Sequence, residues 1–121
     1  MSIKIKRIYE PADKNDGKRL LVDRLWPRGL TKQKARLDGW LRDIAPSPEL
    51  RAWFGHKSER FDVFAQQYRT ELDTDPLKQS AVQQLLELGG AERVTLLYAA
   101  KSATINHAAV LQQYLQGKVE A

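Results

Sequence analysis

Cysteine is absent from all 121 residues. Its absence removes disulfides, thiolate nucleophiles and thiolate metal sites together, and it leads us to expect a cytoplasmic protein. Histidine is scarce as well: only His56 and His107 occur. Neither sits at a ligand-like spacing from further donors, so no metal and no cofactor are expected. No apolar run approaches the roughly 18 residues of a membrane span. The opening MSIKIKRIYE alternates isoleucine with charge instead of running apolar like a signal peptide, so no membrane partner is expected. A glycine-rich phosphate loop, a dinucleotide fingerprint, a serine-nucleophile turn and a helix-turn-helix pattern are also missing. No internal repeat, low-complexity block or Gly/Ser/Pro-rich linker divides the chain.

The residues that are present suit one globular domain over residues 1–121: 42% are hydrophobic and 29% charged. The net charge of +5 is unevenly placed. Residues 1–42 hold 12 Lys and Arg against 5 Asp and Glu, a surplus of +7, whereas residues 43–121 hold 8 against 10, net −2. The basic third suits an anionic ligand or a nucleic acid; it suits a solvated surface equally well.

Alternation of Ile with Lys or Arg in IKIKRIY (3–9) predicts a strand with one wet face. RLLVD (19–23) and RVTLLYAA (93–100) are short, nearly continuous apolar runs of the kind found in strands buried on both faces. LDGWLRDIAPS (37–47) fits either period and is taken as an extended segment ending at Pro46. Thr31 is placed to cap a short helix over KQKA. Ser47 before Pro48 and Glu49 starts another over PELRAWFG. Ser58 is expected to cap a third helix, with Phe61, Phe64, Ala65, Tyr68 and Leu72 on one face. Asp75 and Pro76 open a fourth with Leu77, Ala81, Leu85 and Leu88 inward, ended by Gly89 and Gly90. A final helix over ATINHAAVLQQYLQG stops at Gly117. Strands separated by helices imply an α/β domain: a small, largely parallel sheet of about four strands flanked by helices.

In such sheets ligands sit beyond the carboxyl ends of the strands, and the chemically distinctive residues fall there. Tyr9 follows the first strand. Asp23, Arg24, Trp26, Pro27 and Arg28 follow the second, in VDRLWPRG. Ser47 is placed after the third. Lys101, Asn106 and His107 follow the last, in AAKSATINH. Pro27 sets the conformation of Trp26, and Gly29 permits a positive φ. A loop stiffened in this way, carrying two guanidiniums, suits bidentate recognition of phosphate or carboxylate. It also suits loop bracing, with Asp23 holding Arg24. Lys101 and Asn106 lie where the last helix begins, and a helix start attracts anions. His107 is the candidate acid/base group, with Asp23 as its orienting carboxylate; the bland alternative is a core-edge histidine satisfied by a backbone carbonyl. Trp53 and Phe54, in RAWFGHKSERF, are expected to pack in the core or cover the site; His56 is expected to line the site, with a surface or capping histidine as the alternative.

The stretches LVDRLWPRG, LDGWLRDIAPS, LRAWFGH, ERFDVFAQQYRTEL and VTLLYAAK with NHAAVL resemble, in order and across almost the whole chain, the bacterial domain-of-unknown-function family 488 in its short YeaO-like branch. The resemblance implies a compact α/β domain without an assigned activity. Longer relatives carry an Asp-Val-Arg strand end at the place of VDRLWPRG. They carry a Cys-rich strand and a Cys-His-Arg helix start at the places of LLYAAK and INHAAV. By that correspondence Asp23, Arg24, Pro27, Lys101 and His107 line one site, without the cysteines. Some relatives bear a transcriptional-regulator label that no feature of this sequence supports.

Three functional expectations follow. The first is an anion-binding site at the strand ends, with catalysis on the bound anion as an option. The second is a nucleic-acid-binding or regulatory module that uses the basic N-terminal third. The third is a protein-interaction domain presenting Trp26 or Trp53.

Overall fold

The structure, a computed structural model, describes residues 2–120. Four parallel strands form one sheet in the order β1-β4-β2-β3: β1 is Ile3–Arg7, β2 Lys18–Leu21, β3 Gly39–Trp40 and β4 Val94–Tyr98. The register sets Lys4 beside Thr95 and Thr95 beside Arg19, and it sets Ile5, Leu96 and Leu20 in one row. Because side chains alternate across a strand, these two rows face opposite sides of the sheet.

The first side carries the main core. Ile3, Leu20, Val22, Val94, Leu96 and Tyr98 pack with residues of four helices. These are α2 (Pro48–Phe54), α3 (Phe61–Thr74), α4 (Pro76–Ala91) and α5 (His107–Glu120). Fourteen residues of α3 place Phe64, Ala65, Tyr68 and Leu72 inward at helical spacing. Tyr68 is fully buried and donates its hydroxyl to the Ile44 carbonyl at 2.6 Å. Burial pushes its phenol pKa well above the usual range, and the Glu71 and Asp23 carboxylates add to the shift.

The second side is covered by loops and the one-turn helix α1 (Lys32–Ala35), which close a small core of Ile8, Leu21, Ala35 and Leu97. In this row Arg19 would be a buried charge under the cover were it not for Asp16. Asp16 sits in a 3-10 turn (Lys14–Asp16) and is 1% exposed. Its carboxylate meets Arg19 at 2.6 Å, Lys6 at 3.1 Å and Lys4 at 3.5 Å, and it accepts the Asp13 N–H at 3.0 Å. Thr95 donates its hydroxyl to the Asp16 carbonyl at 2.7 Å. Arg19 also donates to the Ala35 carbonyl at 2.8 Å and to the Arg36 carbonyl at 3.2 Å, so one guanidinium closes the end of α1. Gly17 makes this crossing feasible: its φ is +65°, and a Cβ there would stand 2.3 Å from the Arg93 carbonyl oxygen.

The parallel α/β architecture is as the sequence implies, with specific corrections. Residues 37–46 are not one extended segment. Two residues pair as β3, and a 3-10 turn over Arg42–Ile44 follows, because Ile44 turns inward under Tyr68. Ser58 is not a cap; it opens a 3-10 turn (Ser58–Arg60) that runs directly into α3. α4 continues through Gly89 and Gly90 to Ala91, since Gly89 is buried against the core and no left-handed cap forms there. Leu77 lies outward, 62% exposed. α5 begins at His107, four residues later than its apolar pattern suggested, and passes Gly117 to Glu120. The caps at Thr31, Ser47 and Asp75 are as read from the sequence: each side chain accepts a backbone N–H of the first turn, from Lys34, Leu50 and Leu77 respectively. Among the described residues no helix is long and apolar enough to cross a membrane.

Candidate functional site

All four strands run the same way, so their carboxyl ends gather at one edge. A cleft of about 1180 Å³ opens there, against α2 and the start of α5. Arg7 and Tyr9 come from the end of β1, residues 23–28 from the segment after β2, and Ala99 to Ser102 from the segment after β4. α2 and its flanks supply the facing wall, including Pro46, Pro48, Arg51, Ala52 and His56.

The loop after β2 is held at several points. The Trp40 indole donates to the Asp23 carbonyl at 2.6 Å, and the Trp26 indole donates to the Leu30 carbonyl at 2.7 Å. The two indoles meet edge to face at 5.5 Å, and the Arg42 guanidinium lies 4.2 Å over the Trp40 ring. Tyr9 donates its hydroxyl to the Arg28 carbonyl at 2.7 Å, and the Arg7 guanidinium lies 4.7 Å over the Tyr9 ring. Arg7 Nε donates to the Ala100 carbonyl at 3.0 Å, which joins the ends of β1 and β4.

Asp23 and His107 meet in the cleft, 84 positions apart in sequence. Asp23 Oδ2 accepts the Ala99 N–H at 3.0 Å. His107 Nε2 lies 3.2 Å from Asp23 Oδ1 and 3.0 Å from the Val22 carbonyl oxygen. A carbonyl and a carboxylate are both acceptors, so Nε2 carries the proton. His107 is thereby a donor at this atom, fastening the end of β2 to the first residue of α5. A backbone carbonyl satisfies the histidine, and Asp23 faces it. Arg24 is not the partner of Asp23; among the described residues the Arg24 Nε and the Asp23 Oδ1 are both buried with no hydrogen-bond partner.

Asn106 sits at the mouth of α5 and caps it. Its Oδ1 accepts the Ala109 N–H at 2.8 Å and its Nδ2 donates to the Ser102 carbonyl at 2.9 Å. Both polar atoms of this side chain are thus engaged by the chain itself. Arg24, Arg28, Arg51 and Lys101 contrast with it. All four line the cleft, and none makes an ion pair among the described residues. With Arg7 they set five cationic side chains around one carboxylate, Asp23.

Of the residues singled out by sequence, Tyr9, Asp23, Arg24, Trp26, Pro27, Arg28, His56, Lys101, Asn106 and His107 line the cleft together. Ser47 does not. Its hydroxyl donates to Glu71 at 2.6 Å and caps α2, whose next residues form the wall instead. Trp53 also lies outside, 40% exposed, with the Arg60 guanidinium 5.1 Å over its ring. Sequence reasoning missed Arg7 and Arg51. Arg7 is the last residue of β1, so the strand-end rule applied to it. Arg51 lies three positions after Pro48 on the same helical face.

Together these features define a small parallel α/β domain with a cationic cleft at its strand ends. A family profile described as the inactive DUF488-N3 subclade matches residues 2–121, and the chain belongs to that DUF488 family. It is 42% identical over 116 residues to the uncharacterised protein YeaO of Escherichia coli, covering 96% of this chain and 98% of YeaO. It is 43% identical over 116 residues to the uncharacterised proteins Rv3073c of Mycobacterium tuberculosis and Mb3100c of Mycobacterium bovis, covering 96% of this chain and 95% of each relative. No solved structure matches it.

Proposed function

We propose that the domain binds a small anion in the strand-end cleft and does so without chemistry. The observation that carries this reading is the buried, unpartnered Nε of Arg24, in a cleft it shares with Arg28, Arg51 and Lys101. A buried donor left without an acceptor costs about 1–3 kcal/mol, and a phosphate, sulfate or carboxylate oxygen would satisfy it. The description of the subclade as inactive supports binding over catalysis. So does the geometry of His107, whose Nε2 is already engaged by the Val22 carbonyl at 3.0 Å. In this reading His107 and Asp23 are positioning residues. They pin the loop that presents Arg24 and Arg28, while Lys101 adds charge from the β4 side. Asn106 contributes by capping α5.

The nucleic-acid alternative loses part of its basis. Lys6 and Arg19, both in the basic third, are largely buried against Asp16, and Lys4 pairs with it from an exposed position. The test is titration calorimetry with inorganic phosphate, sulfate and acetate. Saturable binding that weakens about tenfold in Arg24→Gln, as expected for one lost charge-assisted hydrogen bond of ~1.5 kcal/mol, supports the proposal. Affinity unchanged by Arg24→Gln, or no saturable binding of any of the three anions, would overturn it.

A further inference from the structure

The two walls of the cleft differ in what they can offer a ligand. The strand-end wall supplies Arg24, Arg28 and Lys101. The opposite wall is built largely from Ala45, Pro46, Pro48, Ala52 and Phe54. Pro46 and Pro48 have no N–H to give. The Ala45 N–H already donates to the Arg42 carbonyl at 3.3 Å. Ala52 and Phe54 lie within α2, where backbone donors turn into the helix. Apart from the Arg51 side chain, a ligand meets carbon rather than donors along this stretch. An anionic group placed there away from Arg51 would be stripped of water with nothing in exchange.

His56 stands at the end of the same wall. Its backbone is left-handed at φ 58°, directly after Gly55 at φ 53°. A side-chain-bearing residue adopts this region at a cost that glycine does not incur. Its ring is exposed and free of the core, with its centroid 6.0 Å from that of Phe54, and it lines the cleft. Glycine fits such a position at the least cost, and histidine is one of the few side-chain-bearing residues that enter this region with some frequency. The conformation holds an exposed imidazole at the cleft.

We infer that the ligand is a ring-bearing anion of the aryl phosphate or aryl carboxylate class. Its charged head sits at Arg24, Arg28 and Lys101, and its flat body lies along the proline-lined wall beneath His56. This rests on the anion-binding reading above and adds the body of the ligand to it.

The test compares three probes by titration calorimetry: inorganic phosphate, phenyl phosphate and phenol. Phenyl phosphate is expected to bind at least tenfold more tightly than phosphate, since covering a ring adds apolar burial to the same head. In His56→Gly the advantage of phenyl phosphate should shrink at least threefold. The melting temperature should be unchanged or higher because backbone strain is relieved. His56→Asn, which tolerates the left-handed region, should behave alike and stands in if the glycine variant does not fold. Equal affinity for phosphate and phenyl phosphate would overturn this inference and leave the anion site standing. So would a full advantage retained in both His56 variants. Phenol binding as tightly as phenyl phosphate, or none of the probes binding, would overturn the anion reading and this inference with it.

Discussion

Two aspartates, Asp16 and Asp23, organise opposite parts of the sheet, and their surroundings differ in one respect. Asp16 is enclosed. Arg19, Lys6 and Lys4 converge on it, and the Asp13 N–H completes its shell. Asp23 is at the rim of a cleft, with one oxygen on the Ala99 N–H and the other facing His107, while the neighbouring Arg24 Nε has no partner. The same residue types build both clusters. Where the cations are paired with a buried carboxylate, they hold the fold. Where they line a cleft without an ion pair among the described residues, their donors are free to recognise a ligand.

The largest expected effect is at the closed cluster. Asp16→Ala leaves Arg19 buried without its counter-charge and should cost about 3–5 kcal/mol, read as a drop in the denaturant midpoint with an unchanged slope. A loss below 1 kcal/mol would mean that the carboxylate does not organise this side of the sheet.

Acid sharpens the same point. Burial opposes ionisation of the Asp16 carboxyl, but the hydrogen bond from Asp13 and those from Lys6 and Arg19 outweigh it, lowering its pKa from 3.8 to about 2. A carboxyl whose folded value lies below its unfolded value stabilises the fold above the unfolded pKa. That contribution, about 2 kcal/mol, fades as pH falls from about 4 through about 2. Unfolding measured from pH 5 down to pH 2 should show this loss in the parent chain. In Asp16→Asn this component should be absent.

The smallest expected change is at the open cluster, and it concerns binding. Asp23→Asn keeps an oxygen for the Ala99 N–H and removes one negative charge from the cleft. Its amide then faces the His107 Nε2 donor, so the stability cost should be about 1–2 kcal/mol, while phosphate affinity rises about threefold or more as repulsion is lifted. A destabilisation as large as that of Asp16→Ala, or a weakened affinity, would erase the distinction between the two clusters.

The distinction is only half legible in the sequence. VDRLWPRG and AAKSATINH stood out because strand-end residues in a parallel sheet share an edge, and this rule brought Asp23 and His107 together correctly. The same rule, extended to the last residue of β1, reaches Arg7. Asp16 stood in a stretch, EPADKNDGK, that reads as an ordinary turn. Its only local signal is the spacing of Asp13 and Asp16, which cap each other's backbone. That Lys4, Lys6 and Arg19 close over it depends on two strands separated by a third. The pattern of a single strand, with its alternating lysines, looked like a wet face.

The sequence by itself determined the class of the fold, the order of its elements and the caps at Thr31, Ser47 and Asp75. These depend on periodicity and on groups within a turn of each other, where local sterics and backbone hydrogen bonding suffice. Tertiary structure alone decided which charges are enclosed and which are open. It also set the two-residue length of β3 and the point at which α5 begins. Each of these is settled by what lies across the sheet or beneath the turn: Ile44 under Tyr68, Asn106 on Ser102, and Asp16 against β1 and β2, which β4 separates. The worth of a charge is set by how much water remains around it, and that is fixed only when distant segments close over it.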